Sequence, residues 1–233
     1  MEILLALAFF GGLVALGLFL QRGKHRPAPS PLPPLEALGA HELEKQWIDV
    51  KARLMGTDPY EDELPYAHLF DQATRLRDQL LNPYRRLLDP ANVADTILKY
   101  SRQPQAQLLY IDPKFNAALL GDDVALGLSF YCYTGCTLTS KQRVATDHHT
   151  YTRLLDELIA RQSAAAYLLK GLILKYGMTL SAPPDLASAE AFLMEAKRRG
   201  IEAAGGETSL LRAHSRLESI PSVGVTNEPP KWE

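Results

Sequence analysis

Residues 150–176, TYTRLLDELIARQSAAAYLLKGLILKY, carry the longest helical signal in the chain and decide its fold class. Leu154, Leu155, Leu158, Ile159, Ala165, Ala166, Leu168, Leu169, Leu172 and Ile173 recur at helical spacing, with Arg153, Glu157, Arg161 and Lys170 on the remaining faces. An apolar stripe this broad belongs to a core helix covered on more than one side. The pattern predicts one helix from Thr150 to Tyr176, stopped at Gly177.

Downstream, SAPPDLAS breaks the chain, and Asp185 or Ser188 is placed to cap an amphipathic helix running to Arg199. Leu186, Ala189, Phe192, Leu193 and Ala196 form its apolar face, and Lys197-Arg198-Arg199 suits the negative pole of a helix C-terminus. Gly205-Gly206 closes the domain. A short helix over Leu210 to Leu217 interrupts an otherwise polar, turn-rich tail from 206 to 233.

Upstream, Val124 to Tyr133 (VALGLSFYCY) is apolar and aromatic without a period. Periodicity does not separate a buried strand from a buried helix in so short a run, but aromatic density and Gly127 and Gly135 favour a strand. With Gln107 to Ile111, a short strand ended by Asp112-Pro113, it makes a small β element over about 107–133. Lys114 to Leu120 is long enough for one or two helical turns, and Ala91 to Arg102 reads as a short helix. Further upstream, Leu43, Trp47, Val50 and Leu54 form one stripe, and Leu69, Ala73, Leu76 and Leu80 form another, separated by the turn-forming GTDPYEDELP. Each stripe is too short for a coiled coil, so an αα-hairpin with its apolar faces together is expected.

Residues 1–20, MEILLALAFFGGLVALGLFL, contain no ionisable side chain except Glu2. About 20 apolar residues suffice for a helix to cross a bilayer, so this segment reads as a single transmembrane anchor. Arg22, Lys24 and Arg26 follow at once, which places that flank, and the domain behind it, on the cytoplasmic side. PAPSPLPP (27–34) completes a basic, proline-rich linker over 21–34 that favours an extended form. The expected architecture is therefore mainly α: a transmembrane helix at 1–20, the linker, and a helical-bundle-like soluble domain over 35–205. A flexible tail covers 206–233.

A net charge of −2 in a chain with 22% charged residues gives no case for nucleic-acid binding. Chemistry concentrates at one place, Cys132 and Cys136 followed by His148 and His149. A Cys-x3-Cys pair is a common zinc half-site, but the second histidine expected three to five residues after the first is missing. Buried or free thiols explain the cysteines without a metal. The segment holds no phosphate loop, no H-E-x-x-H and no G-x-S-x-G.

The reading that follows is a membrane-anchored, non-enzymatic adaptor or scaffold subunit, holding a protein partner or a second copy of itself. No cofactor, nucleic acid or small-molecule substrate is inferred. Two alternatives stand beside it. One is a tethered enzyme or zinc-binding domain centred on Cys132, Cys136, His148 and His149. The other is a secreted or periplasmic protein whose first segment is a cleaved signal.

Overall fold

The structure is a computed structural model describing residues 39–100, 108–111 and 121–218. The anchor at 1–20, the linker at 21–34, the turns expected at 114–120 and the chain beyond 218 lie outside the described residues. What is described is mainly helical. None of its helices is long and apolar enough to cross a membrane.

The chain order is α1 (Ala40–Met55), α2 (Glu63–Leu81), a 3-10 turn (Asn82–Tyr84), α3 (Arg85–Leu88), α4 (Ala94–Tyr100), β1 (Leu108–Leu109) and α5 (Asp122–Thr134). There follow β2 (Thr137–Thr139), β3 (Gln142–Val144), α6 (His148–Ala160), α7 (Ala164–Tyr176), α8 (Leu186–Arg198) and α9 (Ala203–Glu218). The paired stripes form the expected hairpin. α1 packs on α2, burying Trp47, Val50 and Leu54 from one helix and Leu69, Ala73, Leu76 and Leu80 from the other.

Val124 to Tyr133 corrects the strand expectation, because the segment is helix α5. Nearly every face of α5 is buried, so its apolar residues carry no period to read. Gly127 is a packing residue here, not a helix breaker. A Cβ at that position would stand 2.9 Å from both Asp89 Oδ1 and Val93 Cγ2. Gly135 ends the helix in the left-handed conformation (φ 65°), as a C-terminal glycine does. The sheet is therefore smaller than expected and lies mostly after 133. β2 and β3 pair antiparallel, and β1 adds in parallel to β3 through Leu108–Arg143 and Leu109–Val144.

The single helix expected over 150–176 is two helices. Arg161 closes α6, Gln162 turns the chain at φ 67°, and Ser163 opens α7. The break has a packing cause: α6 lies against α5, whereas α7 lies chiefly against α8, so the chain must change direction between partners. Arg199 holds the turn by donating to the backbone and side-chain oxygens of Gln162. Leu168, Leu169 and Leu172 are fully shielded in α7, and burial of each contributes about 2 kcal/mol. Gly171 lets α8 approach so closely that an added Cβ would lie 2.7 Å from Leu193 Cγ.

Asp147 and Asp185 cap α6 and α8, accepting from Thr150 N and Ser188 N at 3.0 Å each. Residues 206–218, expected as the start of a tail carrying a short helix over Leu210 to Leu217, are helical throughout. α9 runs through Gly205-Gly206 to Glu218 and packs on α8, with Ala204, Glu207 and Leu211 buried. Tertiary burial overrides the low helix propensity of the two glycines.

Candidate functional site

α1 carries two apolar stripes, and only one enters the core. Ile48, Ala52 and Met55, spaced by four and three, form the second. Ile48 and Met55 are 45% and 46% exposed, a large area for apolar side chains in an otherwise well-packed helix. Leu210 of α9, itself 42% exposed, faces the same cavity, as do Pro184 in the 177–185 loop and Leu186 at the start of α8. Together they bound an apolar groove of about 230 Å³ with Trp47 and Tyr176 in its walls. The two rings meet edge to face at 5.7 Å, which fixes the wall between α1 and α7.

Lys51 also lines this groove. It is 5% exposed and, among the described residues, has no carboxylate partner. Its ammonium donates to Tyr176 O at 2.8 Å and Thr179 O at 3.2 Å, and stands 5.2 Å from the Trp47 ring centre. Burial, with the nearby Arg77 guanidinium adding to it, pushes the Lys51 pKa down to about 8. The Tyr176 carbonyl is one that the last turn of α7 leaves open, and Thr179 lies in the loop that follows.

Beside Lys51, Lys175 of α7 sits between Glu44 of α1 and Glu207 of α9, the latter at 2.5 Å. Tyr84 donates its hydroxyl to the same Glu207 carboxylate. Burial first, and then the hydrogen bond and charge of Glu207, hold the Tyr84 hydroxyl far above its ordinary pKa. This buried cluster pins α1, α7, α9 and the 3-10 turn to one another. Such networks fix a single arrangement more than they add stability.

The residues singled out in sequence fall elsewhere and do not gather. Cys132 is fully buried within α5; burial, and then the Asp147 carboxylate, push its thiol far above the ordinary range. Cys136 is partly exposed at the mouth of the β2–β3 hairpin, 3.9 Å from Arg85 Nη2. Burial raises its pKa, while Arg85 pulls the other way. Both thiols are free. His148 and His149 open α6 on the surface, where His148 packs edge to face on Tyr151 at 5.1 Å. Among the described residues, no three His, Cys, Asp or Glu side chains are grouped so as to hold a metal ion.

Lys51 and Glu44 fall outside the Leu43–Trp47–Val50–Leu54 stripe that the sequence shows, and Arg77, Lys175 and Glu207 carry no motif. A signal existed for two of them. Lys51 is four residues after Trp47 and so borders the buried stripe, and Lys175 sits in a helix apolar on nearly all faces, where a charge has little choice but burial. Glu207, following two glycines, offered no such cue.

No protein-family description, curated protein or solved structure shows significant similarity to the chain.

Proposed function

We propose that this protein is a membrane-anchored adaptor whose α1–α9 groove takes the apolar face of an amphipathic helix from a membrane-associated partner. The observation that carries the reading is the second, exposed stripe on α1, Ile48–Ala52–Met55, continued by Leu210. A pocket of about 230 Å³ is below the ~300–1,000 Å³ usual for small-molecule sites and suits a few inserted side chains. Several nearby charges are already paired, Glu44 with Lys175, Asp49 with Arg53 and Glu190 with Arg212, and the Lys51 ammonium in the lining is turned to two backbone carbonyls, so the exposed part of the face is mainly apolar. The groove begins at Glu44, shortly after the linker in sequence, which favours a partner that is itself at the membrane. Residues 1–20 supply the anchor in this reading, with the basic flank at Arg22, Lys24 and Arg26 holding the domain in the cytoplasm.

The test is site-specific photo-crosslinking in native membranes with full-length chain, from Ile48, from Leu210, and from the 94% exposed Tyr60 away from the groove. The expected result is one shared adduct from the two groove positions and not from Tyr60. Its mass-spectrometric identification should map the link to an amphipathic helix. A homodimer adduct, the same adduct from Tyr60, or no adduct from the groove positions would each overturn the reading.

A further inference from the structure

A second cavity of about 450 Å³ opens where α2, the end of α5, β1, β3, the start of α6 and the loop after α7 meet. Its volume falls inside the ~300–1,000 Å³ range of small-molecule sites. The charged and titratable groups among its described lining residues are Arg77, Arg143, His148 and three tyrosines, with no carboxylate among those described.

Arg77 is 2% exposed. It donates from Nη1 to Tyr133 O at 3.3 Å and from Nη2 to Thr134 O at 2.5 Å, and its guanidinium lies 5.1 Å from the Tyr133 ring centre. Arg143 donates from Nε to Gly135 O at 2.5 Å. Three successive carbonyls at the end of α5 are thus capped by two arginines. The capping leaves Arg77 Nε buried and without a hydrogen-bond partner, a donor that a native interior rarely leaves unmatched. One carboxylate, Asp78, reaches Arg77 Nη2 at 3.3 Å from outside the lining. Two guanidiniums outweigh that charge together with the roughly half-charge of the α5 C-terminus.

The rest of the cavity is aromatic. Tyr133 and Tyr151 donate their hydroxyls to Gly177 O and Met178 O, so they offer the cavity ring surface and no spare donor proton. Phe70 and Tyr110 stand on its solvent side, 42% and 59% exposed. Fixed positive charge beside exposed aromatic faces matches one ligand chemistry.

We infer that this cavity binds a small organic anion with an aromatic body, its acidic group at Arg77 and Arg143 and its ring against Phe70 and Tyr110. The inference is independent of the docking groove, whose walls share none of these four residues.

Isothermal titration of full-length protein in detergent, with phenyl phosphate, inorganic phosphate and neutral benzyl alcohol as probes, tests it. Phenyl phosphate is expected to bind saturably at one site. Arg143→Gln should weaken it roughly tenfold or more, the scale of a charge-assisted hydrogen bond. Tyr110→Ala should weaken phenyl phosphate about threefold to tenfold and leave inorganic phosphate unchanged, the scale of a ring contact. Because Tyr110 makes no cap, that variant decides the matter even if Arg143→Gln fails to fold. The inference is overturned by no saturable phenyl phosphate binding, by equal affinity for benzyl alcohol or inorganic phosphate, or by a Tyr110→Ala protein that binds as the parent does.

Discussion

Replacing Lys51 with methionine removes a buried cation while keeping most of its length, and the consequence is legible in the pH dependence of stability. In the folded protein the Lys51 pKa is held down to about 8, against an ordinary 10.5. Between those values the unfolded chain carries a proton that the folded chain has shed, so raising pH through this window stabilises the fold. Lys51 contributes least to stability below about 8, where the folded state must bear a desolvated charge. With a pKa of about 8 folded and 10.5 unfolded, moving from about pH 7.5 to about 9.5 adds about 1.8 kcal/mol from this residue alone. Other groups act in the same range with opposite sign. Cys132 and the buried tyrosines Tyr131, Tyr151 and Tyr176 have raised folded pKa values, so their contributions are lost as pH rises through 9 and above. A comparison of the two proteins cancels them. Urea unfolding at both pH values should show the parent gaining about 1–2 kcal/mol more than Lys51→Met. Equal pH responses would refute the reasoning, because they would mean that the Lys51 ammonium is solvated in the folded state.

Two further outcomes are expected. Gly171→Ala should destabilise by about 1–2 kcal/mol despite its better helix propensity, because the new methyl meets Leu193 side-chain and backbone atoms at 2.7–3.2 Å. Gly206→Ala, with nothing within 4 Å of the added carbon, should stabilise α9 by up to about 1 kcal/mol; urea titrations showing the reverse order would contradict the packing described for α7, α8 and α9. For the thiols, Cys136 should react with an aromatic disulfide reagent in the native protein and Cys132 only on unfolding. Two equivalents released at once without denaturant would place Cys132 at the surface.

The helical class was readable because amphipathic stripes announce themselves: α1, α2 and α8 each expose one face and bury another, and periodicity reports that contrast. α5 defeated the same method because burial on nearly all sides erases it. Its boundaries were nonetheless written in the chain, with Asp122-Asp123 in the first turn suiting the positive end of a helix and Gly135 suiting its close. The break at Gln162 was not written locally. A left-handed glutamine is set by which helices α6 and α7 must reach, and that is a property of the assembled fold. The groove was half legible, since Ile48, Ala52 and Met55 are a second stripe in plain view. The cation-lined cavity was not, because Arg77 lies more than sixty residues before Arg143 and His148, and only the fold brings α2 against β3 and the start of α6.

What ties the two cavities together is the end of α7. The carbonyls of Tyr176, Gly177, Met178 and Thr179 are taken in succession by Lys51, Tyr133, Tyr151 and again Lys51. Side chains from α1, α5 and α6 thus hold the last carbonyl of α7 and the three that follow it in the loop. Gly177 is obligatory there: at φ 96° a side chain would be strained, and its Cβ would fall 2.5 Å from both Lys51 Nζ and Ala182 O. The chain leaving this terminus walls both spaces, with Met178 to Ser181 facing the cation-lined cavity and Pro184 and Leu186 facing the groove. An occupant of either cavity that shifts this segment must do so against the same four hydrogen bonds. Any resulting change in affinity at one cavity is matched by an equal change at the other, because linkage between two bound states is reciprocal.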